Sequence, residues 1–221
     1  MRRQAGRCLA AMIAAALSLM ASPSGGQAPV DPGVGSDVVQ ARLYSECMDL
    51  ARRDAVAADK VAANWLKNGG GDGARHCAAV AALTGGRYAE AGRLFEALAR
   101  ESNSGKQGLK AELNAHASQA WLIAGETEKA LASINRAIQR GGDDSERLID
   151  RAIIYGSQEK FWEAIDDLSA VIDRQPRRAD VLVLRATAWR RLGNLDLADD
   201  DIDRAVAIAP ANVEALLEQG V

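Results

Sequence analysis

The sequence predicts an all-α chain, an α-solenoid of antiparallel helix hairpins stacked in a row. The strongest sign is a set of residues that recurs every 34 positions. Trp121, Tyr155 and Trp189 form one series, and Ser118, Ala152 and Ala186 a second; Ala130, Ala164 and Ala198 form a third. Ile134, Leu168 and Ile202, then Ala137, Val171 and Ala205, keep the same phase. Five phased series mean stacked copies of one unit, each burying its apolar side against its neighbours. Composition agrees: the chain is rich in Ala, Leu, Glu and Arg, and only 4% of its 221 residues are aromatic, which favours helix over strand. Punctuation agrees too, because Pro176 and Pro210 lie one period apart, and proline closes the helix before it. Such an array has no single closed core around a cleft, so it points toward binding and away from catalysis.

The first segment, 1–28, reads as a cleaved secretory signal, the alternative being a surface-lying N-terminal helix or an uncleaved anchor. Arg2, Arg3 and Arg7 precede an apolar run from Cys8 to Ala21 that is too short to span a bilayer, and small, polar, turn-rich residues follow. Cys8 precedes the apolar run and is not placed like a lipoprotein cysteine. Removing the three arginines takes the net charge from -3 to -6. A mildly acidic mature chain offers no field for nucleic acid or an anionic membrane, so neither is expected as a partner, and no membrane insertion is expected after cleavage.

Residues 29–36 have the Pro and Gly content of a flexible leader. An N-terminal helix pair spans 37–71, with Asp37 as its expected N-cap and a break near Arg53. Leu43, Cys47, Leu50, Val56, Val61, Ala62 and Trp65 keep helical spacing through it. The run Asn68-Gly69-Gly70-Gly71 ends this unit, since glycine tolerates the left-handed conformation that stops helices. Without a preceding strand or a following Lys-Ser/Thr it is no phosphate loop.

Four hairpins follow, spanning 72–105, 111–144, 145–178 and 179–212. Their helices are expected at about 73–83 and 88–100, 109–123 and 126–139, 145–155 and 160–174, and 179–192 and 195–208. Gly85-Gly86 and Gly125 mark the first two turns. A polar insert around Glu101-Ser102-Asn103-Ser104-Gly105 separates the first two hairpins, so Ala91 and Ala130 lie 39 apart. Residues 213–221 begin a fifth unit in register. A stack normally ends in a polar-faced cap. This end therefore reads as a fragment, the alternative being a partner that covers Leu216 and Leu217.

The runs Gly-Arg-Tyr-Ala-Glu-Ala (86–91), Lys-Phe-Trp-Glu-Ala-Ile (160–165) and Leu-Gly-Asn-Leu-Asp-Leu-Ala (192–198) resemble tetratricopeptide repeats. The resemblance runs from about Asp72 onward. Thr127, Gly142 and Ala82 depart from the pattern where an aromatic, a proline and an aromatic are usual. It implies a right-handed superhelix whose first helices line a concave groove that binds a protein or peptide segment. The family's inward-facing positions fall here on His76 and Val80 in the first hairpin and on Glu112 and Gln119 in the second. In the third they fall on Glu146, Ile149 and Ile153, and in the fourth on Asp180, Val183, Thr187 and Arg190. Ile149, Ile153 and Val183 give the groove an apolar middle, with the alternative that they complete packing between repeats. The Lys and Asn pattern that similar repeats use to clamp a C-terminal carboxylate is absent. Trp162 is expected on the outer surface.

Cys47 and Cys77 are an even pair on neighbouring helices in what would be an oxidising compartment, so a disulfide between them is expected. The alternative is a metal or redox site with His76, for which the spacing is weak. His116 is expected to be an ordinary surface or groove residue. The Asp199, Asp200, Asp201 and Asp203 cluster is read as pairing with Arg185, as Asp166 and Asp167 do with Arg151, orienting helices within each repeat. No nucleophile, metal-protease, Walker or dinucleotide motif occurs, and no catalytic residue, metal or cofactor is expected. The function expected is a periplasmic or secreted bacterial scaffold, the alternative being a self-assembling envelope component.

Overall fold

The computed structural model describes residues 32–103 and 105–211. The expected signal, the start of the leader and the fifth unit lie outside them. The described residues form ten helices and no strand: α1 (Pro32–Arg53), α2 (Ala55–Lys67), α3 (Gly71–Thr84), α4 (Tyr88–Glu101), α5 (Gln107–Ile123), α6 (Thr127–Gly141), α7 (Ser145–Ser157), α8 (Phe161–Arg174), α9 (Ala179–Arg191) and α10 (Leu195–Ile208). Each packs on the next, making five consecutive hairpins.

The helix ends follow local chemistry. Asp54 breaks α1 from α2 because its extended backbone (φ -148°) lets the carboxylate accept the Ala57 N–H at 2.9 Å, an N-cap. At the other end of the N-terminal pair the sequence reading needs correction. Helix α1 starts at Pro32, inside the expected leader, and Asp37 lies within the helix. Proline suits a first helical position, where its fixed φ is helical and no N–H is left unpaired.

Four hairpin turns share one geometry. The N–H of Arg87, Glu126, Lys160 and Asn194 bonds back to the carbonyl of Ala82, Trp121, Tyr155 and Trp189, at 2.8, 2.9, 2.9 and 3.0 Å. This six-to-one closure needs a left-handed residue just before the donor. Gly86, Gly125 and Gly193 supply it at φ +76°, +78° and +79°, while Glu159 adopts φ 59° in the third hairpin.

The periodic residues build the core. Ala91, Ala130, Ala164 and Ala198 are buried at the points where paired helices cross, and Ile134, Leu168 and Ile202 fill the space between hairpins. Ser118, in the same series as Ala152 and Ala186, is also buried and donates to the Ala130 carbonyl at 2.9 Å across its hairpin.

Ionic rungs, each built on a buried carboxylate, repeat with the same period. Arg151 makes a two-pronged contact with Asp167, at 2.7 and 2.7 Å, and reaches back to Asn135 of the preceding hairpin at 3.2 Å. Arg185 repeats this with Asp201, at 2.8 and 2.8 Å, and with Ser169 at 2.9 Å. The carboxylates hold both guanidinium pKa values above the ordinary range. The expected orienting pairs thus exist, but they choose Asp167 and Asp201, the buried members of their clusters, while Asp166, Asp199 and Asp200 face solvent.

Beyond consecutive helices, the contacts across neighbouring hairpins join first helices, α1 with α3, α5 with α7 and α7 with α9. They therefore line the inner side of the curve and carry the candidate site.

Candidate functional site

The inward face is written in the same 34-residue code. Glu112, Glu146 and Asp180 share one phase, His116, Asp150 and Leu184 a second, and Gln119, Ile153 and Thr187 a third. The first and third rows are exposed. Between α5 and α7 opens a cleft of about 530 Å³ that Glu112, His116, Gln119, Glu146, Arg147 and Asp150 help to line.

Arg147 organises this cleft. It is 7% exposed, and it ties the start of α7 to the hairpin before it. Its guanidinium donates to the carbonyls of Gly141 and Gly142 at 3.1 and 3.2 Å and to Glu112 and Asp144 at 2.5 Å each. Glu146 pairs with Arg178 at 2.8 Å, and Arg178 also holds Asp180, lowering the pKa of that carboxyl. Asp150 differs. Its carboxylate meets the neutral Gln119 amide at 3.1 Å, and burial, reinforced by Glu146 and Asp144, raises its pKa above the ordinary value.

A second hollow, of about 220 Å³, opens between α7, α8 and α9. Ile153 and Thr187 stand on its rim, and Ala152, Ala164, Leu168 and Leu184 make its apolar wall. The Arg191 guanidinium lies over the Phe161 ring at 5.1 Å on one side.

The remaining expected groove residues are dispersed. Ile149 and Val183 are 8% and 6% exposed and belong to the core shared by the last two hairpins. The apolar middle of the groove is thus corrected to Ile153 alone, at 40% exposure. The reason is phase: Ala115, Ile149 and Val183 form a row turned one helical step toward the neighbouring hairpin. Val80 is half-buried against the first hairpins. Arg190 leans outward to Asp199 at 3.6 Å. His76 lies apart, in a ring column running Tyr44, His76, Phe95, His116 with centroids 5.8, 5.9 and 5.4 Å apart. Its Nδ1 meets the Tyr44 hydroxyl at 3.0 Å, and burial followed by repulsion from His116 lowers its pKa.

Arg147 and Asp150 were not among the expected site residues, and His116, expected as an ordinary surface or groove residue, lines the cleft. The signal for two of them was present, since His116 and Asp150 are one period apart and one turn from the Glu112 and Glu146 row. Trp162 is 56% exposed and packs edge-on to Trp189, 5.5 Å away. The Cys47 and Cys77 sulfurs face each other at bonding distance with Cα atoms 6.1 Å apart. Among the described residues, no group of three or more His, Cys, Asp or Glu side chains is arranged to hold a metal ion, and no helix is long and apolar enough to cross a membrane.

The tetratricopeptide repeat profile matches residues 149–213, the third and fourth hairpins. Residues 149–213 thus carry the tetratricopeptide repeat pattern. No curated protein matches this chain. Among solved structures it is similar to YrrB, described as a tetratricopeptide repeat protein with an unusual peptide-binding site, at 17% identity and TM-score 0.65, covering 85% of this chain and 97% of that one. It is also similar to residues 41 to the end of MamA from Desulfovibrio magneticus RS-1, at 13% identity and TM-score 0.67, covering 79% and 97%. At these identities the likeness is one of fold: both share the stacked helix hairpins of this chain.

Proposed function

We propose that this protein is an exported bacterial scaffold, periplasmic or secreted, whose concave groove binds a segment of a partner protein. The observation that carries the reading is the cleft between α5 and α7, where Glu112, Gln119, Glu146 and Asp150 from two successive hairpins converge on one open space. Convergent polar groups in a preformed hollow are what a binding site requires. YrrB, alike in fold, has a peptide-binding site by its description. The role is display: a rigid curved face holds the segment, apolar contact supplies affinity and charged residues set register. Export brings an oxidising environment, in which Cys47 and Cys77 form a disulfide that pins α1 to α3.

The test is affinity capture from envelope extracts with the wild type and with a Gln119→Arg/Ile153→Asp double variant. Both positions are exposed, so the variant keeps its helical spectrum. Loss of captured proteins supports the groove, and identical capture by both discards it. Cell fractionation with the mass of the mature N-terminus checks export.

A further inference from the structure

The two hollows of the groove meet on one helix. Glu146, Asp150 and Ile153 are spaced i, i+4 and i+7 along α7, so they share a face. The first two border the cleft and the third the notch. The notch exists because of Gly156. One period earlier stands Leu122, which packs against the core, whereas a Cβ at Gly156 would meet nothing within 4 Å. An apolar space is left open beside the one large apolar side chain of the groove rows that is exposed.

Charge says what belongs next to it. The carboxylates of Glu112, Asp144, Glu146 and Asp150 line the cleft against the guanidiniums of Arg147 and Arg174, a net charge of two negatives. Arg147 engages Glu112 and Asp144, and Arg178 engages Glu146, but Asp150 has the neutral Gln119 amide in place of a guanidinium. A cationic side chain completes this arrangement, and an anionic one is repelled by it.

We infer that the groove takes a protein segment in which a Lys or Arg side chain enters the cleft to meet Asp150 while an apolar side chain of about leucine size fills the notch beside Ile153. This rests on the scaffold reading above and names the chemistry of its partner. Asp150 and Gly156 are six residues apart on α7, about 9 Å along the axis. An extended guest covers that distance with about three residues, so its two anchors lie two to four positions apart.

The probe is a positional-scanning library of fluorescent ten-residue peptides, offered to the full-length protein and to Asp150→Asn and Gly156→Leu variants. The wild type should select Lys or Arg at one position and Leu, Ile or Met two to four positions away. Asp150→Asn should bind the best peptide at least about tenfold more weakly, the scale of one charge-assisted contact. It should bind the Lys→Gln version of that peptide as the wild type does. Gly156→Leu, which copies Leu122, should erase the apolar preference and leave the basic one. Both variants should melt no lower than the wild type, so lost binding is not lost folding. Selection of acidic residues, selection of nothing, or a basic preference that survives Asp150→Asn overturns the inference. If Gln119→Arg/Ile153→Asp still abolishes capture from extracts, the scaffold reading stands without it; if capture is also unchanged, both fall.

Discussion

Single residues in this chain are fixed by contacts that composition hides. Gly92 sits in mid-helix, where alanine would ordinarily be better by about 1 kcal/mol. Its missing Cβ is the seat of the Trp121 ring, since a Cβ there would come within 2.6 Å of that ring. Gly92→Ala should therefore destabilise by about 1–3 kcal/mol in denaturant unfolding, the cost of overpacking. Asp150 gives the opposite sign. Its pKa is raised in the fold, so its stabilising share is complete below the ordinary carboxyl value of 3.8 and is lost as pH rises through the folded value. Asp150→Asn should consequently raise stability near neutral pH, with the gain shrinking toward zero as the pH falls below 3.8, measured by thermal unfolding across pH. Charged and apolar residue types were legible in the sequence, but their exposure was not. Ile149 and Ile153 are both isoleucines on α7, one turn apart, and only the packing of the adjacent hairpin buries the first.

At the level of the element, the ionic rungs decide how the two helices of a hairpin are held. Asp201 is 1% exposed, and its oxygens are taken by Arg185 and, at 3.1 Å, by Arg204. Asp201→Ala should cost about 3 kcal/mol in chemical denaturation because the partly buried Arg185 guanidinium loses its counter-charge. The exposed pair Arg75–Glu101, at 3.4 Å, is the internal control: Glu101→Ala should cost under about 1 kcal/mol. The double variant Arg185→Leu/Asp201→Leu should recover much of the first loss. Helix positions and turns were readable because glycine and proline mark them chemically, as at Gly125 and Gly193. The third turn was less so. Glu159 carries the left-handed conformation without the residue type that announces it. Which aspartate of a run completes each rung was likewise hidden, since Asp199, Asp200 and Asp201 differ only in the direction each faces on α10.

For the whole molecule, the row of hairpins means that stability is a sum of local units and the interfaces between neighbours. The N-terminal pair lacks the period, and its docking relies on Trp65 seated over Gly70 and Gly73 and on the approach of Cys47 to Cys77. With the disulfide formed, unfolded protein should show no free thiol at either cysteine. Reduction should then lower the stability of this end by about 2–4 kcal/mol, read as earlier hydrogen exchange in α1 and α3. The period made the stack legible, because identical units must bury identical faces. It said less about the groove, where the side chains are free to differ from unit to unit. Among the described residues, substantial contacts join only helices that are adjacent or next but one along the chain. Folding therefore closes no large loops, and loop closure is what slows chains whose distant parts must find each other. A hairpin can settle as soon as its predecessor is in place, so a growing polypeptide acquires its shape progressively from one end, without waiting for its last residue.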